Sequence, residues 1–317
     1  MKAIVIYEAG GPEKLIYTDV PTPEVKDGWS LVKVKGFGIN HSEIFTRDGL
    51  SPTVSFPRIL GIECVGIVEE TTDPERLPEG AKVISIMGEM GRDFDGGYAE
   101  YALLPNEQIH RVETDLPWEI LAAMPETYYT AFGSFKALAI EEGDSVLVRG
   151  GTSGVGIAFL RLVKAKFPGV EVFGTTRSAS KSDMMERAGF DGVVIDRGDV
   201  LETDRSFDKV MDLIGPSAHR DTVKHTNEGG TICVTGLLGG KWTVDDFDPL
   251  NDVPVGGYLT GFHSGYVTGA KLQEMIDFVT GYGVDVTPEK VFTLEGVPDA
   301  HRYLESGASF GKVVALL

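Results

Sequence analysis

The stretch from Asp144 to Lys181 constrains this chain more than any other. It opens with the apolar run Val146-Leu147-Val148 and passes through Gly150-Gly151-Thr152-Ser153-Gly154-Val155-Gly156. An apolar segment of helical period then runs to Lys166, and β character returns at Val170-Glu171-Val172-Phe173. A strand, a glycine cluster, a helix and a second strand make a βαβ unit whose first turn accepts a pyrophosphate. Residues without Cβ let the backbone turn sharply and approach phosphate closely. Gly151 and Gly156 fit the outer glycines of G-x-G-x-x-G, with Ser153 in the place of the middle one. The helix starting near Gly154 aims open N–H groups and the positive end of its dipole at the same point. Gly151, Thr152, Ser153, Gly154, Val155 and Gly156 are thus the expected phosphate loop.

The choice of nucleotide is made where the second strand ends. An acidic residue there would bond the ribose 2′-OH of NAD. This chain has Thr175-Thr176-Arg177-Ser178, with Lys181 close behind. Two hydroxyls, a guanidinium and an ammonium suit a phosphate dianion, and cations at a helix start ask for an anion. Thr175, Thr176, Arg177 and Lys181 are read as contacts to the 2′-phosphate of NADPH.

Among the 317 residues, 29 Lys and Arg face 48 Asp and Glu, a net charge of −19. That balance repels nucleic acid and anionic membranes. No apolar run approaches the ~20 residues of a membrane helix, and the N-terminal Met1-Lys2-Ala3-Ile4-Val5-Ile6 enters directly as a strand. The expected location is cytoplasmic. Cys64 and Cys233 are the only cysteines and lie in separate β-like runs, which excludes a disulfide framework and a four-cysteine zinc site.

Residues up to about Gln108 read as short strands broken by Gly and Pro: Ile4–Ile6, Leu15–Tyr17, Ser30–Val34, Cys64–Val68, Lys82–Ile86 and Tyr98–Ala102. Helical pattern begins at Trp118–Met124 and Tyr128–Leu138. After the βαβ unit come a helix at Ser182–Arg187 and strands at Val193–Asp196, Val210–Ile214, Gly230–Thr235 and Tyr258–Thr260. Strands alternating with helices give a doubly wound parallel sheet. A helix at Lys271–Thr280 and strands at Lys290–Phe292 and Lys312–Leu316 read as a return to the first domain. The expected fold class is α/β, with a β-rich domain over residues 1–117, a Rossmann domain over 118–265 and the return over 266–317.

Several segments together resemble the medium-chain dehydrogenase/reductase superfamily. Gly61-Ile62-Glu63-Cys64-Val65-Gly66-Ile67-Val68 is similar to its G-x-E-x-x-G-x-V segment, Gly96-Gly97-Tyr98-Ala99-Glu100-Tyr101 to its G-G-[FY]-A-E-Y segment, and Gly311-Lys312-Val313-Val314 to its end. The resemblance implies a GroES-like catalytic domain beside the Rossmann domain. In the alcohol-dehydrogenase branch a G-I-C-G-[ST]-D segment supplies a zinc-ligating cysteine. Here it reads Gly38-Ile39-Asn40-His41-Ser42-Glu43, and an amide is a poor zinc ligand beside a thiolate. Asn40 with Arg47 and Gly49 resembles the zinc-free quinone oxidoreductase branch, though Phe45 replaces that branch's tyrosine. His41 and Glu63 keep a metal alternative open.

The resemblance implies an NADPH-dependent reductase acting on a quinone or α,β-unsaturated carbonyl. Its hydrogen-bonding groups would be Asn40 and a hydroxyl from Tyr128, Tyr129 or Thr130, with Arg47 either on substrate oxygen or in an ion pair. Further cofactor contacts implied by the family are Thr130, Arg197, Gly236 and Leu237, with His263 near the crevice. An enoyl-thioester or other alkene reductase and a non-catalytic NADPH sensor are the alternatives. A small-molecule substrate and a homodimer formed through a sheet edge are the expected partners.

Overall fold

The computed structural model describes residues 1–317. They fall into two compact units, Met1–Tyr129 with Ser264–Phe278 and Val286–Leu317, and Thr130–His263 with Val279–Asp285.

The first unit begins with β1 (Lys2–Ile6), β2 (Leu15–Asp19), β3 (Trp29–Ile39), α1 (His41–Arg47), β4 (Arg58–Ile59) and β5 (Glu63–Thr71). It continues through β6 (Lys82–Ile86), β7 (Tyr101–Pro105), β8 (His110–Arg111), α2 (Trp118–Ala122) and the start of α3 (Pro125–Leu138). Trp118–Tyr129 lie with this unit, beyond the expected boundary at residue 117, and α2 packs on β3 and β5 of the β-rich sheet. The expected strand at Tyr98–Ala102 also moves, to β7. Tyr98 instead donates its N–H to the Leu60 carbonyl and stacks its ring on Phe37, centroids 4.7 Å apart. Ile4, Ile6, Phe37, Leu60 and Tyr98 centre a core with no exposure.

In the second unit, β9 (Ser145–Arg149), α4 (Gly154–Lys166), β10 (Glu171–Thr176), α5 (Ser182–Ala188), β11 (Gly192–Arg197), β12 (Val200–Leu201), β13 (Phe207–Asp212), α6 (His219–Lys224), β14 (Thr226–Val234) and β15 (Tyr258–Gly261) follow. The sheet order is β12-β11-β10-β9-β13-β14-β15, all parallel except β12. Read from β11, that is the dinucleotide-binding order, reversing between β9 and β13. Strands covered on both faces are apolar throughout, and Val146, Leu147 and Val148 have no exposure. Arg149, also unexposed, ends β9 and is held by Asp196 at 2.8 Å and Asp221 at 3.1 Å.

The chain closes with α7 (Gly269–Tyr282), β16 (Lys290–Thr293), α8 (Val297–Glu305) and β17 (Val313–Leu316). The first unit's large sheet runs β16-β17-β3-β5-β6-β8. No helix is long and apolar enough to cross a membrane. Neither α1 nor α8 is among the elements expected from sequence. Both carry readable signals: Asn40 and Glu43 form a capping box, and Val297, Ala300, His301 and Leu304 line one buried face at helical spacing.

α1 and α8 are joined by a buried polar cluster. Arg47 donates to Glu305 at 2.6 and 3.0 Å, to Asp48 at 2.6 Å and to the Gly10 carbonyl at 2.9 Å. It also faces His301 Nδ1 at 3.4 Å, so that nitrogen accepts and the Nε2 proton points to Tyr98 Oη, 3.1 Å away. His301 is held neutral: burial, then the Arg47 charge, push its pKa down to about 3. Its unfolded value is about 6.5. The folded state therefore binds fewer protons, and this contribution to stability is complete above about pH 6.5 and lost as pH falls towards 3. The unfolding free energy of His301→Gln, measured by denaturant titration, should fall less steeply between pH 6.5 and 4 than that of the parent protein. Equal slopes would contradict this burial of a neutral imidazole.

Candidate active site

Strand register in the first unit brings four polar side chains together. β17 pairs antiparallel with β3, Val313 opposite Ile39 and Val314 opposite Gly38, so the next pair outward is Lys312 with Asn40. β5 flanks β3 on its other side and begins at Glu63. Gly38 has no Cβ, and one built there would collide with the Glu63 carboxylate and the Lys312 ammonium. Only glycine leaves room for that pair to meet.

The Lys312 ammonium donates to Glu63 Oε1 at 2.8 Å and Asn40 Oδ1 at 2.6 Å. Asn40 Nδ2 donates to Glu63 Oε1 at 2.9 Å and to Glu43 Oε1 at 3.4 Å. An ammonium cannot accept and an ionised carboxylate cannot donate, so the orientation of the Asn40 amide is fixed. Glu63 Oε2 accepts the Glu126 N–H in the first turn of α3, where a carboxylate is favoured by the helix dipole. Both Glu63 and Lys312 are buried, with side-chain exposures of 0% and 6%. Glu43 caps α1 by accepting the Asn40 N–H at 3.0 Å and also accepts the Ile62 N–H at 3.1 Å. Burial, reinforced by the Glu63 charge, pushes its pKa up to about 7.

These residues do not fit a zinc ion. No thiol stands at position 40, the Asn40 oxygen and the Glu63 carboxylate are occupied by an internal cation, and no three His, Cys, Asp or Glu side chains converge as a ligand set. His41 lies exposed at the start of α1.

The other proton-handling candidates are placed as follows. Tyr128 is 2% exposed. The Tyr129 hydroxyl donates to the Tyr266 carbonyl at 2.8 Å, and burial followed by the Glu126 charge raises its pKa. Arg47, a candidate for substrate oxygen, is 1% exposed and paired with Glu305. Its guanidinium joins α1 to α8 through Glu305 and also pairs with the adjoining Asp48.

In the second unit, Ser153 caps α4 by accepting the Gly156 N–H at 3.0 Å. The N–H groups of Gly154 and Val155, in the open first turn, are the ones left for an anion. The loop's tight turn is made by Gly150, at φ +92°, a residue not included among the expected contacts. Thr175 is buried and works through the loop: its hydroxyl accepts the Gly150 N–H at 2.9 Å and its carbonyl the Gly151 N–H at 3.1 Å. Thr176 bonds the Ser178 backbone at 3.2 Å. Arg177 is exposed and Lys181 half-exposed at the same strand end. Arg197 is exposed and ion-paired with Glu202 at 2.6 Å. Thr130 accepts Ser134 Oγ on its carbonyl at 2.8 Å. Gly236, followed by Leu237, donates its N–H to the Asp212 carbonyl at 3.3 Å, beside the end of β13, and His263 is exposed. Lys312 and Glu43 belong to the polar cluster without being among the residues expected there from sequence. The N-x-x-E spacing could have revealed Glu43, whereas nothing local reveals Lys312.

Comparison with known proteins agrees with this geometry. Residues 26–114 match the alcohol dehydrogenase GroES-like domain and residues 188–315 the zinc-binding dehydrogenase family. The human quinone oxidoreductase is 26% identical over 250 residues, 75% of this chain and 74% of the relative. The 2-methylene-furan-3-one reductase of Solanum lycopersicum is 27% identical over 323 residues, 99% of this chain and 78% of the relative. A mycobacterial protein solved with NADPH superposes with TM-score 0.79 at 25% identity, both chains covered at 100%. A Bacillus subtilis protein solved with NAD shares the fold with TM-score 0.86 at 23% identity, covering 100% of this chain and 99% of that one. Two family matches flanking a glycine loop in the dinucleotide-binding strand order place this chain in the medium-chain dehydrogenase/reductase superfamily, as an oxidoreductase that uses a nicotinamide cofactor.

Proposed function

We propose that this protein is an NADPH-dependent reductase that reduces a quinone or an α,β-unsaturated carbonyl compound with no metal in the step. The observation that carries this reading is the Lys312 ammonium bonded to Glu63 and Asn40. It puts a fixed cation in the segment where the zinc-dependent branch keeps its cysteine. A Lewis acid is the usual means of activating an alcohol for oxidation. An already polarised acceptor needs only hydride at carbon and hydrogen-bond donors at oxygen. When bound, NADPH supplies the hydride. The tomato relative's named substrate, a methylene furanone, is an acceptor of this kind.

For the cofactor, the support is Arg177, exposed and with no carboxylate partner at the end of β10, together with Lys181. Gly154 and Val155 would hold the pyrophosphate on α4. Asn40 is tied on both faces of its amide, so its part is to hold the head of α1 in place. For assembly, we read the open edge of β15 as the site of a homodimer: Tyr258, Val255 and Trp242 are 69%, 71% and 79% exposed around it.

Purified protein should oxidise NADPH in the presence of 1,4-naphthoquinone or 2-cyclohexen-1-one, followed by loss of nicotinamide absorbance. In Arg177→Ser, kcat/KM for NADPH should fall about tenfold, as expected for one lost charge-assisted contact, while that for NADH stays unchanged. No oxidation of NADPH with any acceptor would remove the reductase reading, and equal losses with both cofactors would remove the phosphate contact.

Removing the ammonium alone leaves a buried carboxylate without its counter-charge. Lys312→Met should therefore cost about 3–5 kcal/mol of unfolding free energy. Combining it with Glu63→Gln should recover most of that loss, because no buried charge is then left unpaired. Strictly additive losses in denaturant titrations would show that the two residues are not coupled.

A further inference from the structure

Arg149 and Asp212 end β9 and β13 and stand opposite each other in the strand register. The sheet order reverses between these two strands, and in an open parallel sheet the ligand crevice lies outside the strand ends at that point. Arg149, Asp212 and Thr222 have no exposure. With no surface open to a ligand, any part they take in binding runs through the backbone they hold.

Arg149 and Asp212 are joined through α6. Arg149 Nη1 donates to Thr222 Oγ1 at 2.8 Å, and that hydroxyl lies 2.8 Å from Asp212 Oδ2. A guanidinium only donates, so the direction of the chain is fixed and Thr222 gives its one proton to Asp212. The other carboxylate oxygen, Oδ1, faces the loop that follows β13. It accepts the Ile214 N–H at 2.8 Å and the Gly215 N–H at 2.9 Å, which turns the chain sharply as it leaves the strand.

That turn is stitched to the loops on both sides. Leu213 donates its N–H to the Arg149 carbonyl at 3.0 Å, directly ahead of the glycine loop, and accepts the Leu238 N–H at 2.9 Å. Ile214 accepts the Gly239 N–H at 3.0 Å. The packing leaves no slack. Gly215 has φ +82°, a conformation that favours glycine, and a Cβ on it would strike the Gly236 carbonyl. A Cβ on Gly236 would in turn meet the Leu213 carbonyl oxygen at 2.6 Å. A shift of Ile214 and Gly215 is therefore passed on to residues 236–239.

A sheet of this order binds a dinucleotide across two mononucleotide-binding halves, and the half with the glycine loop and the end of β10 takes the adenosine side. The loops after β13 and β14 are left for the nicotinamide nucleotide. We propose that Asp212 is a positioning residue for the nicotinamide half of the cofactor: braced by Thr222 and Arg149, its carboxylate shapes the 213–215 and 236–239 loops on which that half lies. The inference rests on the nicotinamide-cofactor reading of this unit and is independent of the acceptor. Without Oδ1 the Ile214 and Gly215 N–H groups lose their partner, and the turn has nothing to hold its shape. The adenosine side, bound by the other half, is left as it was.

The test titrates the full chain by calorimetry with NADPH, NADH and two fragments of the adenosine side, adenosine 2′,5′-bisphosphate and ADP. In Asp212→Ala, Kd for both dinucleotides should rise about tenfold, the scale of a lost charge-assisted hydrogen bond, while Kd for the fragments stays within about twofold of the parent. Asp212→Asn keeps an oxygen for the two N–H groups and should restore most of the dinucleotide affinity. Thr222→Val keeps the side chain's shape and cuts only the link to Arg149, so it should raise dinucleotide Kd about threefold. It also carries the test if Asp212→Ala does not fold. Parent-like dinucleotide affinity in Thr222→Val or in folded Asp212→Ala, or equal losses for dinucleotides and fragments, would overturn the assignment. A parent protein that binds neither NADPH nor NADH would instead overturn the cofactor reading, and this inference with it.

Discussion

A single buried ammonium organises the first unit. Lys312 stands one residue ahead of β17, and its bonds to Asn40 and Glu63 tie the last strand of the chain to the end of β3 and the start of β5. Isolated, each of these charges would cost several kcal/mol to bury, and together they offset most of that cost. The pair also fixes neighbours that carry no net charge. Glu63 is left to cap α3, and the Asn40 amide is held in one orientation at the head of α1. Geometry in the candidate site is thus set by a contact 249 residues apart in sequence.

The second unit follows a different logic, local almost throughout. A β-branched run, a glycine loop and an amphipathic helix specify one another within about forty residues, and the strand order then fixes where an anion is favoured. Ser153, in the place of the middle glycine, caps the helix by accepting the Gly156 N–H on its hydroxyl. Thr175 adds a second brace by holding Gly150 and Gly151 in place. These bonds hold the loop's backbone from the side chains of its own unit.

That contrast explains what could be read from the residues alone. The dinucleotide loop, the parallel sheet and nearly every strand of the second unit were legible because their signals lie within one window of sequence. α8 and α1 were overlooked despite short-range signals, since each is brief and flanked by turn residues. Lys312 could not have been paired with Asn40 and Glu63 from its own neighbourhood, because strand register between distant segments decides it. Arg47 shows the same limit. It matches a family pattern, yet its guanidinium joins α1 to α8 through Glu305, a partner 258 residues away in sequence. Site chemistry in this chain depends on which charges find partners, and partner choice is tertiary.

If Lys312 is the resident cation of this site, the enzyme has no place for a transition metal. The most direct measurement is elemental analysis of protein purified without chelator, read against its NADPH-dependent reductase rate before and after dialysis with a strong zinc chelator. The ion pair predicts zinc far below one equivalent per chain and a rate that dialysis leaves unchanged. One equivalent of zinc, with activity lost on its removal and regained on its return, would contradict it.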